Sequence, residues 1–206
     1  MAYTDKNKLR VVYGDYTLGV HGDGFDYIFS YSQGGLESIV KNGYEWLYRC
    51  PKPTFWRALT DNDRGSRFHI KSGSWLASDM FIDCKKTEVI MDGELQKQYA
   101  PDNNSYGGDV AAGEIIVKYT YETVGNPVTT VIVSYTIDVI GNIKVDVDYT
   151  GVKGLPELPV FGMRFIMPTL ADKYMYKGLS GETYPDRKAA VSYTHLRAHE
   201  TLMNLV

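Results

Sequence analysis

The sequence has few cysteines, no excess of positive charge and no long apolar run. Cys50 and Cys84 are the only cysteines among 206 residues, too few for a disulfide framework or a four-ligand zinc site. No apolar stretch is long enough to span a bilayer, so a helical membrane protein is not expected. The 22 Lys and Arg residues are outnumbered by 25 Asp and Glu residues, which argues against a nucleic-acid-binding surface.

The first residues, Met-Ala-Tyr-Thr-Asp-Lys, also contain no apolar signal core. Secretion is therefore not expected, and we predict a cytoplasmic protein with free or buried thiols. Hydrophobic residues make up 44% of the chain and aromatic residues 13%, which is enough to build one sizeable core.

Alternation of apolar and polar residues is the main structural signal. It is clearest over residues 115–121, 131–137 and 143–149, where every second residue is apolar, as in a strand with one buried face. Asn42-Gly43 and Gly141-Asn142 lie between such runs and indicate hairpin turns. Ten strands are predicted, over residues 9–13, 16–20, 25–31, 36–40, 44–48, 87–91, 115–121, 131–137, 143–149 and 160–167.

Helix signals are scarce. The one candidate is one or two turns over residues 75–81, with Ser74 as the N-cap. Residues 102–113 are rich in Asn, Gly, Asp and Ala and are predicted to form an exposed loop. Because strands and helices do not alternate, the chain is predicted to be all-β and antiparallel, either a sandwich or a barrel.

The most unusual segment is residues 55–65, Phe-Trp-Arg-Ala-Leu-Thr-Asp-Asn-Asp-Arg-Gly. Asx residues favour turns, so the residue types alone favour a tight loop that leaves the sheet near Thr60. The functional alternative is an aromatic platform beside polar groups, which suits a polyol ligand. In either case Arg57 is expected to pair with Asp61 or Asp63.

Residues 55–65 resemble the F-W-R-A-x-T-D-N-D-x-G signature of the final domain of bacterial β-galactosidases in glycoside hydrolase family 2. Residues 178–187, Gly-Leu-Ser-Gly-Glu-Thr-Tyr-Pro-Asp-Arg, are similar to a second block of that family, in the form found in the small subunit of heterodimeric lactobacillus-type enzymes. Residues 34–38, 44–47 and 162–165 also fit, so the resemblance covers residues 7–188.

The resemblance implies an antiparallel β-supersandwich similar to galactose mutarotases. It implies a small subunit that completes the active site of a TIM-barrel large subunit, which carries both catalytic glutamates and hydrolyses lactose and other β-D-galactosides. No catalytic residue and no cofactor is then expected in this chain, and Mg²⁺ or Na⁺ is expected only on the large subunit. The chain's own initial Met favours a separate subunit.

The resemblance also implies roles for individual residues. A loop near the active site is expected, with Gly65 as the hinge of a lid that continues to His69. The loop residues are Arg57, Asp61, Asn62, Asp63, Arg64, Gly65 and Ser66. A structural or interface role is expected for Phe55, Trp56, Glu182, Tyr184, Asp186 and Arg187.

Other functions stay open on the residues alone. A complete retaining glycosidase would need two carboxyl groups about 5–5.5 Å apart, for which Asp61 with Asp63, or Glu182 with Asp186, are the candidates. A mutarotase-like epimerase would need His21 or His69 in a central cleft. A stand-alone carbohydrate-binding module would bind sugar without turnover.

The C-terminal residues depart from the family pattern. Leu59 is a minor difference in the first motif, but the glycines and late strands expected after Tyr-Pro-Asp-Arg do not follow. We therefore predict an incomplete supersandwich over residues 1–188 and an unrelated tail over residues 189–206. Residues 191–206 of this tail are expected to lack stable contacts with the β core. His195 and His199 in this tail would share a helix face, but a third metal ligand is not evident, so no metal site is expected.

Overall fold

A computed structural model describes residues 7–97, 110–125, 127–170, 173–180 and 188–195. Within these ranges the chain forms fifteen strands, two α-helices of one turn and one 3₁₀ turn. The strands are β1 (Leu9–Tyr13), β2 (Thr17–Gly22), β3 (Phe25–Ser30), β4 (Gly35–Lys41), β5 (Tyr44–Glu45), β6 (Arg49–Thr54), β7 (Asp83–Met91), β8 (Glu94–Gln96), β9 (Val110–Ala112), β10 (Glu114–Glu122), β11 (Thr130–Asp138), β12 (Ile143–Thr150), β13 (Gly162–Ile166), β14 (Lys173–Ser180) and β15 (Lys188–His195). The helices are α1 (Asp61–Gly65) and α2 (Phe68–Lys71), and the 3₁₀ turn spans Gly73–Trp75.

Two antiparallel sheets form a sandwich. One has six strands in the order β5-β4-β3-β2-β1-β9, and the other has five in the order β12-β11-β10-β7-β8. Strands β6 and β13 form a separate two-stranded sheet. The predicted all-β antiparallel fold is thus confirmed, whereas the finer likeness to mutarotases stays a prediction.

The core lies between the two large sheets. In β10 and β11 every second residue is buried, as the period of two predicts. The Phe29 ring of one sheet packs edge-on against Tyr135 of the other, with 5.7 Å between centroids. Tyr27 Oη donates a hydrogen bond of 2.7 Å to the carbonyl oxygen of Gly141, at the turn between β11 and β12. Side chains from both sheets therefore interlock in one hydrophobic core.

Both predicted hairpin turns are confirmed. Asn42 and Gly43 join β4 to β5 with φ values of 54° and 76°, the pair of left-handed residues that a type I′ turn needs. Gly141, with a φ of 77°, lies in the turn between β11 and β12. A side chain at Gly141 would also collide with the Phe25 ring, so two constraints favour glycine there.

Several strand predictions need correction. Strand β5 ends at Glu45, and the sequence pattern missed β6, β8, β9, β14 and β15. Val110–Ala112 forms strand β9 at the edge of the six-stranded sheet by pairing with β1, so this end of the predicted loop is wrong. An edge strand of three residues is too short to show a periodic pattern.

The predicted helix over residues 75–81 is also wrong. Ala77 has a left-handed φ of 62°, which is incompatible with a continuous right-handed helix. The helical turns lie earlier in the chain, and the 3₁₀ turn begins after Ser72 rather than Ser74. No helix in the part of the chain described by the structure is long and apolar enough to cross a membrane.

The chain divides into two compact units. The first ends at Met167 and contains the sandwich, and the second begins at Pro168 and contains the antiparallel hairpin of β14 and β15. Strand β15 crosses the predicted boundary at residue 188 and ends at His195. His195 therefore lies in a strand and not in a helix, and His199 lies outside the described residues. The boundary and the predicted lack of core contacts stay predictions.

Candidate functional site

The motif over residues 55–65 begins where β6 ends. Phe55, the first residue after the strand, is fully buried and stacks on Trp75 with 5.5 Å between ring centroids. Phe161 and Tyr149 complete this aromatic cluster at 5.9 and 6.4 Å. Trp56 is partly buried against the same core. The Phe55 ring is thus a packing element, and it is not accessible as a sugar platform.

Two hydrogen bonds fix the backbone around this cluster. Trp75 Nε1 donates to the carbonyl oxygen of Pro156 at 3.1 Å, and Ser72 Oγ donates to that of Glu157 at 2.7 Å. Both donors are buried residues, so each bond replaces a hydration contact that burial removes. The segment before β13 is therefore held against the 3₁₀ turn.

Arg57 and Asp63 form a bidentate ion pair. Arg57 Nη1 lies 2.5 Å from Asp63 Oδ2, and Nη2 lies 3.0 Å from Oδ1. Arg57 Nε also donates to the carbonyl oxygen of Pro159 at 3.2 Å, which joins the pair to the segment before β13. The guanidinium fork holds the pKa of Asp63 well below its usual range, with a further contribution from the Thr60 amide. Of the two expected partners, Arg57 pairs with Asp63.

Thr60 begins helix α1 with a capping box. Its Oγ1 accepts a hydrogen bond of 3.2 Å from the Asp63 amide, and its own amide donates to Asp63 Oδ2 at 2.8 Å. The strand ends at Thr54, six residues before the expected exit near Thr60, and residues 61–65 form a helical turn instead of an irregular loop. The sequence pattern was easy to miss because the third helical position holds Asp, where Glu or Gln is more usual.

The remaining acidic residue of the motif faces solvent. Asp61 is 97% exposed and pairs at 2.8 Å with Arg64, which lies one turn further along α1 and is 62% exposed. Asn62, Gly65 and Ser66 are exposed as well, and Ser66 Oγ donates to the Asp63 carbonyl oxygen at 3.3 Å. The outward face of α1 therefore offers polar groups to a partner or ligand, whereas Arg57 and Asp63 are already occupied with each other.

Gly65 is not where the backbone needs glycine. It is the last residue of α1, its φ is not in the left-handed region, and a Cβ atom there would meet open space. Arg67 has the left-handed conformation instead, with a φ of 56°, and it precedes α2 without a side-chain cap. The expectation that Gly65 supplies a backbone conformation open only to glycine is therefore not met in this structure. The residue of the predicted lid with a strained, left-handed backbone is Arg67.

The two histidines considered for an epimerase lie in different settings. His21 is on β2 with its Nδ1 2.5 Å from Asp26 Oδ1, its cross-strand neighbour on β3. His69 is on α2, and its buried Nδ1 has no hydrogen-bond partner among the described residues. The structure does not place His21 or His69 among the side chains that line the cleft described below.

The second motif cannot be placed in the site. Glu182, Tyr184, Asp186 and Arg187 lie outside the described residues, as does His199. Among the residues that are described, no group of three or more His, Cys, Asp or Glu side chains could hold a metal ion. Cys50 and Cys84 are free thiols, and burial raises the pKa of both.

Comparison with known proteins adds to this geometry. The family model described as β-galactosidase small chain matches residues 21–199. The chain is 57% identical over 190 residues to the "Beta-galactosidase small subunit" of Latilactobacillus sakei, covering 92% of this chain and 59% of that protein. It is 35% identical to a "Beta-galactosidase" of Clostridium acetobutylicum, covering 90% of this chain and 19% of that protein. It is 30% identical to a "Beta-galactosidase" of Streptococcus thermophilus, covering 88% of this chain and 16% of that protein.

Proposed function

This chain belongs to the β-galactosidase small chain family, and on that basis we propose that it acts as the small subunit of a heteromeric β-galactosidase. The assembled enzyme would hydrolyse lactose and other β-D-galactosides. The observation that carries the proposal is the 57% identity to a protein named as a small subunit, over 92% of this chain. The chain spans only 59% of that relative and a fifth or less of the longer ones, so it corresponds to part of the whole enzyme.

The partner in this proposal is a large subunit with a TIM barrel that supplies the catalytic acid and nucleophile. The longer relatives support a division of labour, since this module makes up only 19% of the Clostridium acetobutylicum protein. We place any Mg²⁺ or Na⁺ on the large subunit, and we place the complex in the cytoplasm.

The geometry of residues 57–66 supports a role beside the active site. The ion pair of Arg57 and Asp63 and the Thr60 cap hold this loop in shape without a substrate. The outward residues Asn62 and Arg64 stay exposed. A preformed loop with exposed polar groups suits the wall of a sugar site, because the loop is already ordered before the ligand binds.

The same geometry argues against catalysis by this loop alone. Retaining hydrolysis needs a protonated carboxyl group as the acid and an ionised one as the nucleophile. The lowered pKa of Asp63 keeps that carboxylate ionised and engaged with Arg57, so it cannot donate a proton. The Asp61 side chain is 97% exposed, so the described part of the chain does not enclose it as a catalytic carboxyl group in a sugar pocket would be enclosed.

The test is reconstitution. The purified chain, the large subunit implied by the name of the Latilactobacillus sakei relative, and their mixture are assayed with a chromogenic β-galactoside. We expect turnover from the mixture and none from this chain alone. Robust turnover by the isolated chain, lost in Asp61→Asn or Asp63→Asn, would replace this proposal with an autonomous glycosidase.

A carbohydrate-binding module is the second candidate, because one exposed aromatic pair favours it. The rings of Tyr44 and Trp46 contact each other edge to face at 4.9 Å and are 42% and 45% exposed. Aromatic rings that remain partly open can stack on sugars. This candidate predicts galactoside binding by the chain alone, abolished in Trp46→Ala, with no turnover after the large subunit is added.

A further inference from the structure

A cleft of about 260 Å³ is lined by both strands of the two-stranded sheet of β6 and β13. It belongs to the first compact unit, and it includes none of the residues of the 57–66 loop. Its lining is dominated by positive charge and includes Arg49, Lys52, Arg164, Gln33, Asp79 and Met80.

The strand register brings these cations together. Lys52 of β6 and Arg164 of β13 are direct cross-strand partners, so their side chains leave the sheet on the same face. The register then shifts by a bulge, after which Ile166 lies opposite Arg49. Like charges directly opposite each other destabilise a sheet, so this arrangement needs a compensating interaction.

Only one of the three cations has an acidic partner in the described part of the chain. Arg164 Nη1 donates to Asp79 Oδ2 at 2.8 Å, and its Nη2 donates to Thr54 Oγ1 at 2.8 Å. Asp79 is mostly buried, with 14% of its side chain exposed, whereas the Arg164 side chain is 49% exposed. Arg164 is thereby neutralised and held in one orientation.

Lys52 and Arg49 make no ion pair with a described residue. Lys52 Nζ donates to the main-chain carbonyl oxygens of Gln33 and Gly34 and lies 5.3 Å from the centroid of the Tyr121 ring, all of which are neutral groups. Burial lowers the pKa of Lys52, as expected for an ammonium group without a counter-ion. Arg49 is exposed and has no ion-pair partner among the described residues. The cleft therefore carries two positive charges that this part of the chain does not balance.

We infer that this cleft binds a small phosphate-bearing anion, either inorganic phosphate or a phosphate monoester, between Lys52, Arg49 and the fixed Arg164 guanidinium. An ammonium group binds phosphate oxygens as a point charge, and the free guanidinium of Arg49 can add a bidentate contact. A phosphate monoester carries a charge of roughly −1.5 to −2 at neutral pH, which matches the two unbalanced cations. The apolar side of the cleft, at Met80, can accept the organic part of an ester.

The test is calorimetric titration of the full chain, without any partner subunit, with inorganic phosphate, glucose 6-phosphate and glucose. The variants are Arg49→Gln and Lys52→Met, and the matched control is Lys144→Met, which removes a cation of β12 that is 73% exposed. Arg49→Gln should weaken phosphate binding by about tenfold or more, the effect of losing a hydrogen bond to a charged group. Lys144→Met should bind as the parent chain does.

Binding of both phosphate compounds supports an ester site, and binding of inorganic phosphate alone supports a site for the free anion. If Lys52→Met does not fold, Arg49→Gln still decides the matter, because Arg49 is exposed. The inference is overturned if no phosphate compound binds at about 10 mM. It is also overturned if glucose binds as well as its phosphate, or if Arg49→Gln binds phosphate unchanged. Since no large subunit is used, these outcomes are independent of the proposed β-galactosidase role.

Discussion

Replacing Thr60 by Ala should destabilise the protein through loss of the cap on α1. The substitution removes Oγ1, the atom that accepts the Asp63 amide hydrogen bond of 3.2 Å. It leaves the Arg57 ion pair and the bond from the Thr60 amide in place, because neither uses the Thr60 side chain. Loss of a Thr N-cap costs about 0.5–2 kcal/mol, typically about 1 kcal/mol. For a chain of this size, about 1 kcal/mol corresponds to a Tm that is lower by roughly 2–4 °C.

The matched control is Ser74→Ala. Ser74 is the N-cap that the sequence pattern predicted, but in the structure it is exposed and begins no helix. Its replacement should leave Tm within about 1 °C, as for most surface substitutions. Thermal unfolding followed by circular dichroism measures both variants, and hydrogen exchange of the amides in residues 61–66 shows whether the loss is local. Equal Tm values for Thr60→Ala and the parent chain, or a larger loss in Ser74→Ala, would refute the assignment of the cap to Thr60.

Three further predictions follow from the contacts described above. The pKa of Asp63 is lowered in the folded chain, so the ionised carboxylate contributes fully to stability above its unfolded pKa of about 3.9, and this contribution is lost as the pH falls through the lower folded pKa. Acid unfolding followed by fluorescence should show a weaker pH dependence of stability in Asp63→Asn and an unchanged one in Asp61→Asn. Tyr27→Phe should lower the free energy of unfolding by about 1 kcal/mol because it removes a buried hydrogen bond, whereas Tyr135→Phe should not lower it, since the buried Tyr135 hydroxyl has no partner in the part of the chain that the structure describes. An unchanged urea midpoint for Tyr27→Phe contradicts this reasoning. Gly65→Ala should leave the free energy of unfolding unchanged or raise it by up to about 1 kcal/mol, because residue 65 is helical and a Cβ atom there meets open space. In the reconstituted enzyme this substitution should shift kcat and KM together if the loop is a lid, whereas a change in subunit assembly alone would make the loop an interface element.

The sequence alone determined most of the strands of the two large sheets and two of the hairpin turns between them. In residues 115–121 and 131–137 every second side chain is apolar, and a strand places alternate side chains on opposite faces, so the pattern defines both the strand and its buried side. Asn42 and Gly43 define their hairpin equally well, because few residues tolerate two successive left-handed φ values. The motif over residues 55–65 indicated the family in the same local way.

Other elements depend on contacts that a local pattern does not contain. Strand β6 includes Pro51 and Pro53, which argue against a strand, yet it forms because β13, more than one hundred residues later, supplies its ladder partner. The role of Phe55 was likewise decided by the rings of Trp75 and Phe161, which bury it. These contacts join segments that are far apart in the chain.

The cationic cleft lined by β6 and β13 is a further feature that the local sequence pattern does not predict. Arg49, Lys52 and Arg164 are unremarkable as single residues in the sequence. Their charges lie close together because β6 pairs with β13, with Lys52 opposite Arg164 and, after a bulge, Arg49 opposite Ile166. A periodic pattern specifies which face of a strand is buried, but the identity of the cross-strand neighbour is decided only when distant strands pair. Electrostatic energy depends on those distances, so the tertiary structure alone decided where the unbalanced charge lies.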